Sequence, residues 1–233
     1  MTNYIRLADS PRKIAMTAGI FYLLTFVSIP TLSLYVPVHD PNYIIGNGPD
    51  TKVFIGVILE LIVALSGIGT AVALYPLLKK QNGSVALGLV GARVLEAATI
   101  FTGAAFLLTV VTLRQAGVGA DGLVTAKALV TMYDRMFLVG QSLIPAVDDL
   151  LLGYLLYKSR LVPRPLALIG LAGVPMLVAG HLSVMFGIVG QRDPSTFVFA
   201  ILVAVFEFSL GVLLVVKGFN KTSPLLAEYK TNN

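Results

Sequence analysis

Six apolar stretches, each long enough to cross a lipid bilayer, follow one another along this chain of 233 residues. They occupy residues 14–36, 53–78, 84–113, 124–157, 166–190 and 197–216. A helix of about 20 apolar residues spans the hydrocarbon core, and lipid tolerates only segments that satisfy their own backbone hydrogen bonds. Apolar residues make up 56% of the chain and charged residues only 12%, which argues against a soluble domain. We therefore predict an all-α polytopic membrane protein with six transmembrane helices, forming a single domain over residues 1–233.

Lysine and arginine are distributed unevenly between the two sides of these stretches. One side carries Arg6, Arg12, Lys13, Lys79, Lys80, Lys158, Arg160, Arg164, Lys217, Lys221 and Lys230. The other carries Lys52, Arg114, Lys127 and Arg192, with Arg135 near the boundary. Because positively charged loops stay in the cytoplasm, we expect both termini there and residues 37–52 and 191–196 outside. The same asymmetry accounts for the net charge of +5, so no nucleic-acid partner is predicted.

The fourth stretch is longer than one membrane crossing requires. As a continuous helix, residues 124–157 would measure about 50 Å, against a hydrocarbon core of about 30 Å. Proline lacks the backbone N–H of a helical residue, and its ring crowds the preceding turn. We therefore expect either a bend near Pro145 or an interfacial helix ahead of a shorter span.

Ionisable residues lie inside the apolar stretches, where they are costly. They are Glu60, Arg93, Glu96, Asp148, Asp149 and Glu207. A charge at the bilayer centre costs about 3 kcal/mol even on the mildest scale, so such residues usually face a bundle interior and mark a functional site. Counted at about 1.5 Å per residue from the helix ends, they converge near the midplane together with His181. We predict that Arg93 pairs with Glu96, three residues along the same helical face, and with at least one of Glu60 or Glu207.

These residues admit two interpretations. Five acids and one arginine leave carboxylates without a cation, and in a low dielectric such groups either bind a proton or find a counter-ion. That surplus favours proton chemistry or cation binding, with the candidate catalytic residues Glu60, Glu96 and Glu207. The candidate ligand-binding residues are Arg93, Asp134, Asp148, Asp149 and His181. The alternative is a fixed network of ion pairs that holds the helices together.

The distribution of polar residues predicts a cavity that opens outward, and we expect the midplane carboxylates and Arg93 to lie within it. The cytoplasmic halves of the spans are almost entirely apolar, whereas the outer halves carry several serines and threonines together with Gln141 and His181. Hydroxyl groups in membrane helices also bond to their own backbone, which is the competing explanation. Asp134 and Arg135 would lie near the cavity mouth, and we expect His39, in the external loop, to be solvated.

Several kinds of chemistry are not predicted. The chain has no cysteine, which excludes disulfides, thiolate metal sites and a catalytic thiol. His181 is the only histidine inside an apolar stretch, so a transition metal would depend on carboxylates for its other ligands. Neither an HExxH motif nor a Walker motif is present. We predict no metal and no cofactor.

Several segments of the chain resemble one bacterial family. They are Ile-Leu-Glu-Leu-Ile at 58–62, the stretch 69–79, Arg-Val-Leu-Glu at 93–96, the stretch 151–164, and Glu-Phe-Ser-Leu-Gly at 207–211 with Lys-Gly-Phe at 217–219. Over nearly the whole chain the sequence is similar to the domain-of-unknown-function family 4386. The resemblance implies a multi-span protein of the bacterial inner membrane without an assigned activity. In that family a histidine often precedes the acid matching Asp134, whereas this chain has Tyr133, which counts against a metal or imidazole mechanism.

Three classes of function remain. The first is an intramembrane enzyme acting on a lipophilic substrate such as an isoprenoid or lipid, with a protonated carboxylic acid as general acid and a second carboxylate as base or cation stabiliser. The second is a proton- or cation-coupled transporter of a small ligand, which the apolar inner halves count against. The third is a receptor or assembly subunit with structural ion pairs. We favour the enzyme and expect two partners, the lipid bilayer and a small lipophilic ligand; the pattern is also compatible with an oligomer.

Overall fold

The computed structural model describes residues 10–231, which form helices and no strand. Six helical segments are long and apolar enough to cross a membrane: Pro11–Leu34, Thr51–Gln81, Gly83–Gln115, Gly119–Ser159, Arg164–Met185 and Pro194–Val216. The prediction of an all-α multi-pass membrane protein is therefore confirmed. Residues 1–9, including Arg6 of the predicted charge asymmetry, lie outside the described residues, as do residues 232 and 233.

The helices in chain order are α1 (Pro11–Leu24), α2 (Thr31–Leu34), α3 (Thr51–Gln81), α4 (Gly83–Gln115), α5 (Leu123–Leu138), α6 (Ile144–Ser159), α7 (Arg164–Met185), α8 (Phe197–Val216) and α9 (Pro224–Thr231). A 3-10 turn at Thr25–Ser28 lies between α1 and α2. Successive spans cross in opposite directions, so their connections lie on two faces. The loop face carries residues 35–50, 116–122 and 186–196. The terminal face carries residues 82, 160–163 and 217–223. Which face meets the cytoplasm stays a prediction.

Single residues end several helices. Asn82 alone joins α3 to α4: its backbone is extended, and its side-chain oxygen accepts a hydrogen bond from the Val85 N–H at 3.1 Å. Such a side chain satisfies one of the N–H groups left free at a helix start. Arg160, in the left-handed region with φ 55°, ends α6. At the loop face α7 ends at Met185, because Gly187 turns the backbone with φ 71°.

The fifth span is shorter than its hydropathy pattern predicts. The predicted span runs to residue 190, whereas the helix stops five residues earlier. Phe186 and Ile188 follow the helix and are largely exposed, so an apolar loop extended the hydropathy pattern beyond the helix. Composition alone does not separate such a loop from a span, because both are apolar.

The long fourth span contains a π-helical turn at Val139–Leu143, between α5 and α6. Pro145 lies in the first turn of α6 and has no N–H to donate to the carbonyl oxygen of Gln141. The wider turn accommodates the proline ring without breaking the helical path. The predicted irregularity near Pro145 is thus a π turn, preceded at the loop face by a 3-10 turn at Gly119–Gly122.

Two apolar clusters fill the interior at different depths. One lies toward the terminal face and includes Leu74, Leu89, Leu152 and Phe206. The other lies toward the loop face and includes Val57, Ala104, Leu107 and Tyr133. Along α3 and α4, the buried ionisable residues fall between the residues of these two clusters. The buried charges therefore have apolar packing on both sides.

Arg114 fixes the long loop that follows α2. Its guanidinium donates to the carbonyl oxygens of Gly46 and Gly48 and pairs with Asp50. The Tyr43 hydroxyl donates to Asp50 at 2.5 Å, and burial together with this bond raises the pKa of Tyr43 to about 12. These contacts hold the loop against the end of α4, so it covers one side of the loop face.

Candidate functional site

Arg93, on α4, is the centre of a buried cluster of charges. Its Nη1 donates to Glu96 Oε2 at 2.8 Å, and its Nη2 donates to Glu207 Oε1 on α8 at 2.7 Å. Its Nε lies 3.5 Å from Asp148 Oδ2 on α6. Across the cluster, the guanidinium carbon is 5.9 Å from the ring centre of Tyr22 on α1. Four helices therefore meet at this one side chain.

Asp148 and Asp149 are the unusual members of this cluster. Both are fully buried, and none of their carboxylate oxygens has a hydrogen-bond partner. The Arg93 Nε is also buried and donates no hydrogen bond. Ionised carboxylates removed from water and from donors are strongly disfavoured. The cluster therefore holds more acid than its single guanidinium can neutralise.

Glu60, on α3, lies in a separate polar cage. Tyr133 donates to its Oε1 at 2.7 Å and Tyr35 to its Oε2 at 3.1 Å, while Gln141 is a longer donor at 3.4 Å. Gly56, one turn earlier on α3, leaves room for the Tyr35 ring, which a Cβ there would strike. Three hydrogen-bond donors therefore converge on a side chain that is only 1% exposed.

A cavity of about 430 Å³ opens at the loop face and reaches this cage. Segments 31–39, 133–142, 177–184 and 191–200 form its walls. The apolar part includes Leu32, Val36, Phe137, Leu177, Phe197 and Phe199. The polar part includes Tyr35, Tyr133, His39, Asp134, Gln141 and Ser142. A largely apolar pocket of this size with convergent polar groups is the usual form of a small-molecule site.

His39 and Asp134 form a hydrogen-bonded pair at this cavity. His39 Nδ1 is 2.7 Å from the Tyr35 carbonyl oxygen, and Nε2 is 3.1 Å from Asp134 Oδ1. Both oxygens only accept, so both contacts are hydrogen bonds only in the imidazolium form. Burial lowers the pKa of His39, with a further contribution from Arg192, while the Tyr35 carbonyl and Asp134 oppose this change. The imidazole therefore gives up its second proton easily.

His181, on α7, also lines the cavity. Its Nδ1 is 3.1 Å from the Leu138 carbonyl oxygen, which can only accept a hydrogen bond. Nδ1 therefore carries the proton in the neutral ring, and Nε2 is left as an acceptor. No group of three or more metal-binding side chains occurs in residues 10–231.

The residues predicted as one site divide between two. Arg93 pairs with Glu96 and Glu207, as predicted, but Glu60 lies in its own cage. Asp134 and His181 line the cavity, whereas Arg93, Glu96, Asp148, Asp149 and Glu207 do not. The expectation of a single midplane site within the cavity is therefore wrong, since depth alone does not report which helix face a side chain occupies. The expectation that His39 is solvated is also wrong, because only 11% of its side chain is exposed.

Sequence reasoning did not identify Tyr35 and Tyr133 as partners of Glu60. Tyr133 directly precedes Asp134, so neighbouring side chains on α5 reach the cage and the cavity mouth. Tyr35 follows the first span, and no spacing connects it with a residue 25 positions away. A tyrosine at a span end more often marks the membrane interface, which conceals this role.

These features define an all-helical, multi-pass membrane protein with ionisable groups buried between its spans. A family model described as "Domain of unknown function (DUF4386)" matches residues 17–218, and the chain belongs to this family. The match confirms the resemblance seen in the sequence. No curated protein and no solved structure matches the chain.

Proposed function

We propose that this protein is an intramembrane enzyme that performs acid–base chemistry on a lipophilic substrate bound in the loop-face cavity. The proposal rests on the contact between Tyr133 and Glu60. Tyr133 lies in the cavity wall, and its hydroxyl donates at 2.7 Å to a carboxylate buried directly behind that wall. A phenol backed by a carboxylate can receive a proton from a substrate while passing its own proton inward.

The proton relay consists of two transfers, from the substrate to Tyr133 and from Tyr133 to Glu60. A substrate C–H bond breaks, its electron pair stays on the substrate, and the proton binds to the Tyr133 oxygen. The phenol proton passes at the same time to Glu60, so Tyr133 remains neutral. Tyr35 and Gln141 hold the Glu60 carboxylate in position throughout.

The His39–Asp134 pair supplies the complementary acid. The rings of His39 and Tyr133 are 6.1 Å apart, so one substrate can contact both. A proton given by His39 at one atom and removed through Tyr133 at another amounts to an isomerisation or cyclisation, with no other reactant.

The apolar walls support a lipophilic substrate, such as an isoprenoid or another lipid. Leucine, valine and phenylalanine side chains cover most of the cavity, and its polar lining includes Tyr35, Tyr133 and Gln141, the three partners of Glu60. Such a site favours a molecule with one polar end and a hydrocarbon body. The same proposal includes the bacterial inner membrane as the location, with both termini in the cytoplasm.

Uptake of deuterium from solvent tests this proposal. The purified protein in lipid nanodiscs would be incubated in D2O with polyprenyl alcohols or a total bacterial lipid extract, and the lipids analysed by mass spectrometry. We expect one deuteron per turnover in a specific lipid. Glu60→Gln should lower the rate about 100-fold or more, since general acid–base groups contribute at least that much.

Glu228→Gln is the matched control, because it makes the same chemical change at an exposed position on α9. It should leave deuterium uptake unchanged. The Glu60→Gln protein should retain the thermal stability of the parent, since glutamine keeps the size and hydrogen-bonding reach of the side chain. Undiminished uptake in folded Glu60→Gln protein, or no uptake by the parent from any of these lipids, would contradict the proposal.

A further inference from the structure

The Arg93 cluster differs in electrostatics from the cage of Glu60. Arg93 donates hydrogen bonds to two carboxylates, Glu96 and Glu207, so these three groups together already carry one excess negative charge. Ionisation of Asp148 and Asp149 would raise that excess to three in a site with little solvent. Like charges held close together in a low dielectric repel one another strongly.

No donor compensates for the ionisation of these two aspartates. All four of their oxygens are buried, and none accepts a hydrogen bond from an N–H donor. The Arg93 Nε forms an ion pair with Asp148 Oδ2 at 3.5 Å but no hydrogen bond, and the other polar neighbour of Asp148 is Glu96, itself an acid. A carboxyl group in such surroundings is far more stable when it is protonated.

The ionisable groups around the pair come from three other helices. α1 supplies Tyr22 and α4 supplies Arg93 and Glu96, while α8 supplies Glu207. From α3 the cluster is approached by Gly67, which has no side chain to ionise. Arg93 is thus the only cation among these neighbours, and two acids already occupy its Nη atoms.

We infer that the Arg93 cluster is a proton-binding site, separate from the cavity, in which Asp148 and Asp149 hold exchangeable protons at neutral pH. Glu207 is the most exposed acid of the cluster: 16% of its side chain is accessible, against 10% for Glu96 and none for the two aspartates. In release, the Asp149 O–H bond breaks, a water molecule takes up the proton, and the cluster becomes one charge more negative.

Infrared spectroscopy of the purified full chain tests this inference. In phosphatidylcholine nanodiscs at neutral pH, we expect a C=O stretching band of protonated carboxylic acids that shifts in D2O. Asp149→Asn and Asp148→Asn should each remove part of this band, and both proteins should keep or exceed the parent's thermal stability, because asparagine resembles the neutral acid. Asp193→Asn is the matched control at an exposed residue, and it should leave the band unchanged.

The outcomes distinguish a proton site from its alternatives. A parent protein without the band at neutral pH, or a band that survives both aspartate substitutions, would overturn the inference. Loss of the band on addition of NaCl or KCl at constant pH would assign the site to a monovalent cation instead. If Asp148→Asn fails to fold, the parent spectrum in D2O and the Asp149→Asn protein still decide. The result is independent of the deuterium uptake assay, since Glu60 and its cage are untouched.

Discussion

The geometry around Arg93 explains why this position holds an arginine and not a lysine. Its three nitrogens point toward acids on three helices, Glu96 on α4, Glu207 on α8 and Asp148 on α6. A lysine ammonium is a compact charge on a flexible stem and cannot reach these directions with fixed geometry. Arg93 therefore also ties the helices together, so a structural role and a proton site are compatible in one cluster.

The state of His39 predicts how activity depends on pH. Burial lowers the pKa of His39, so the protonated ring that can act as an acid is populated only below the ordinary histidine value of about 6.5. Deuterium uptake should therefore increase as the pH falls from about 7 toward about 5, up to tenfold per unit for a single proton. His39→Gln should lower the uptake itself and abolish this pH dependence in the uptake that remains.

The stability of the same protein provides an independent check. A folded pKa below the unfolded value means that the contribution of His39 to stability is present above about pH 6.5 and is lost as the pH falls through the folded pKa. The melting temperature of the parent should fall on acidification more than that of His39→Gln. Equal pH profiles of both activity and melting temperature in the two proteins would show that His39 does not titrate in this way.

Among the helical elements, the π turn at Val139–Leu143 brings polar side chains to the cavity. Gln141 and Ser142 belong to this turn and line the cavity, and Gln141 also reaches Glu60. A regular helix would shift these side chains by a fraction of a turn relative to α5. π turns occur frequently at functional sites for this reason.

Gly140 makes this turn fit against α4, and its replacement should disturb both packing and activity. A Cβ at Gly140 would collide with the Thr99 side chain. We expect Gly140→Ala to destabilise the protein by about 1–3 kcal/mol, as overpacking usually does. Thermal unfolding in nanodiscs measures this, and the added Thr99→Ala substitution should restore part of the loss.

Gly91→Ala is the control for the Gly140 substitution. Gly91 lies within α4, and a Cβ there would meet no atom within 4 Å. Alanine favours helix over glycine by about 1 kcal/mol, so this variant should be at least as stable as the parent. If the two substitutions had equal effects, the close contact between Gly140 and Thr99 would not matter for stability.

For the molecule as a whole, the sequence was sufficient to predict the six membrane spans but not to predict how the site residues are arranged. Hydropathy predicted six crossings because lipid imposes a length and a polarity on each of them. Helical spacing predicted the pair of Arg93 with Glu96, and depth predicted a second pair with at least one of Glu60 or Glu207, which is Glu207 in the structure. Depth could not predict that Glu60 lies apart, because the rotation of α3 depends on contacts such as that between Gly56 and the Tyr35 ring. Nor could it reveal His39, whose partner Asp134 is 95 residues away.

The orientation of the molecule in the membrane can be tested directly, because the chain has no cysteine. Ser84, at the start of α4, is exposed on the terminal face, and Ser195, in the connection before α8, is exposed on the loop face. Single Ser84→Cys and Ser195→Cys proteins would therefore differ only in the face that carries the thiol. Because Lys79, Lys80 and their neighbours make the terminal face strongly positive, that face should lie in the cytoplasm. A membrane-impermeant maleimide should label Cys at 195 on intact bacterial cells and Cys at 84 only after the membrane is opened. The reverse labelling pattern would invert the topology and turn the cavity toward the cytoplasm.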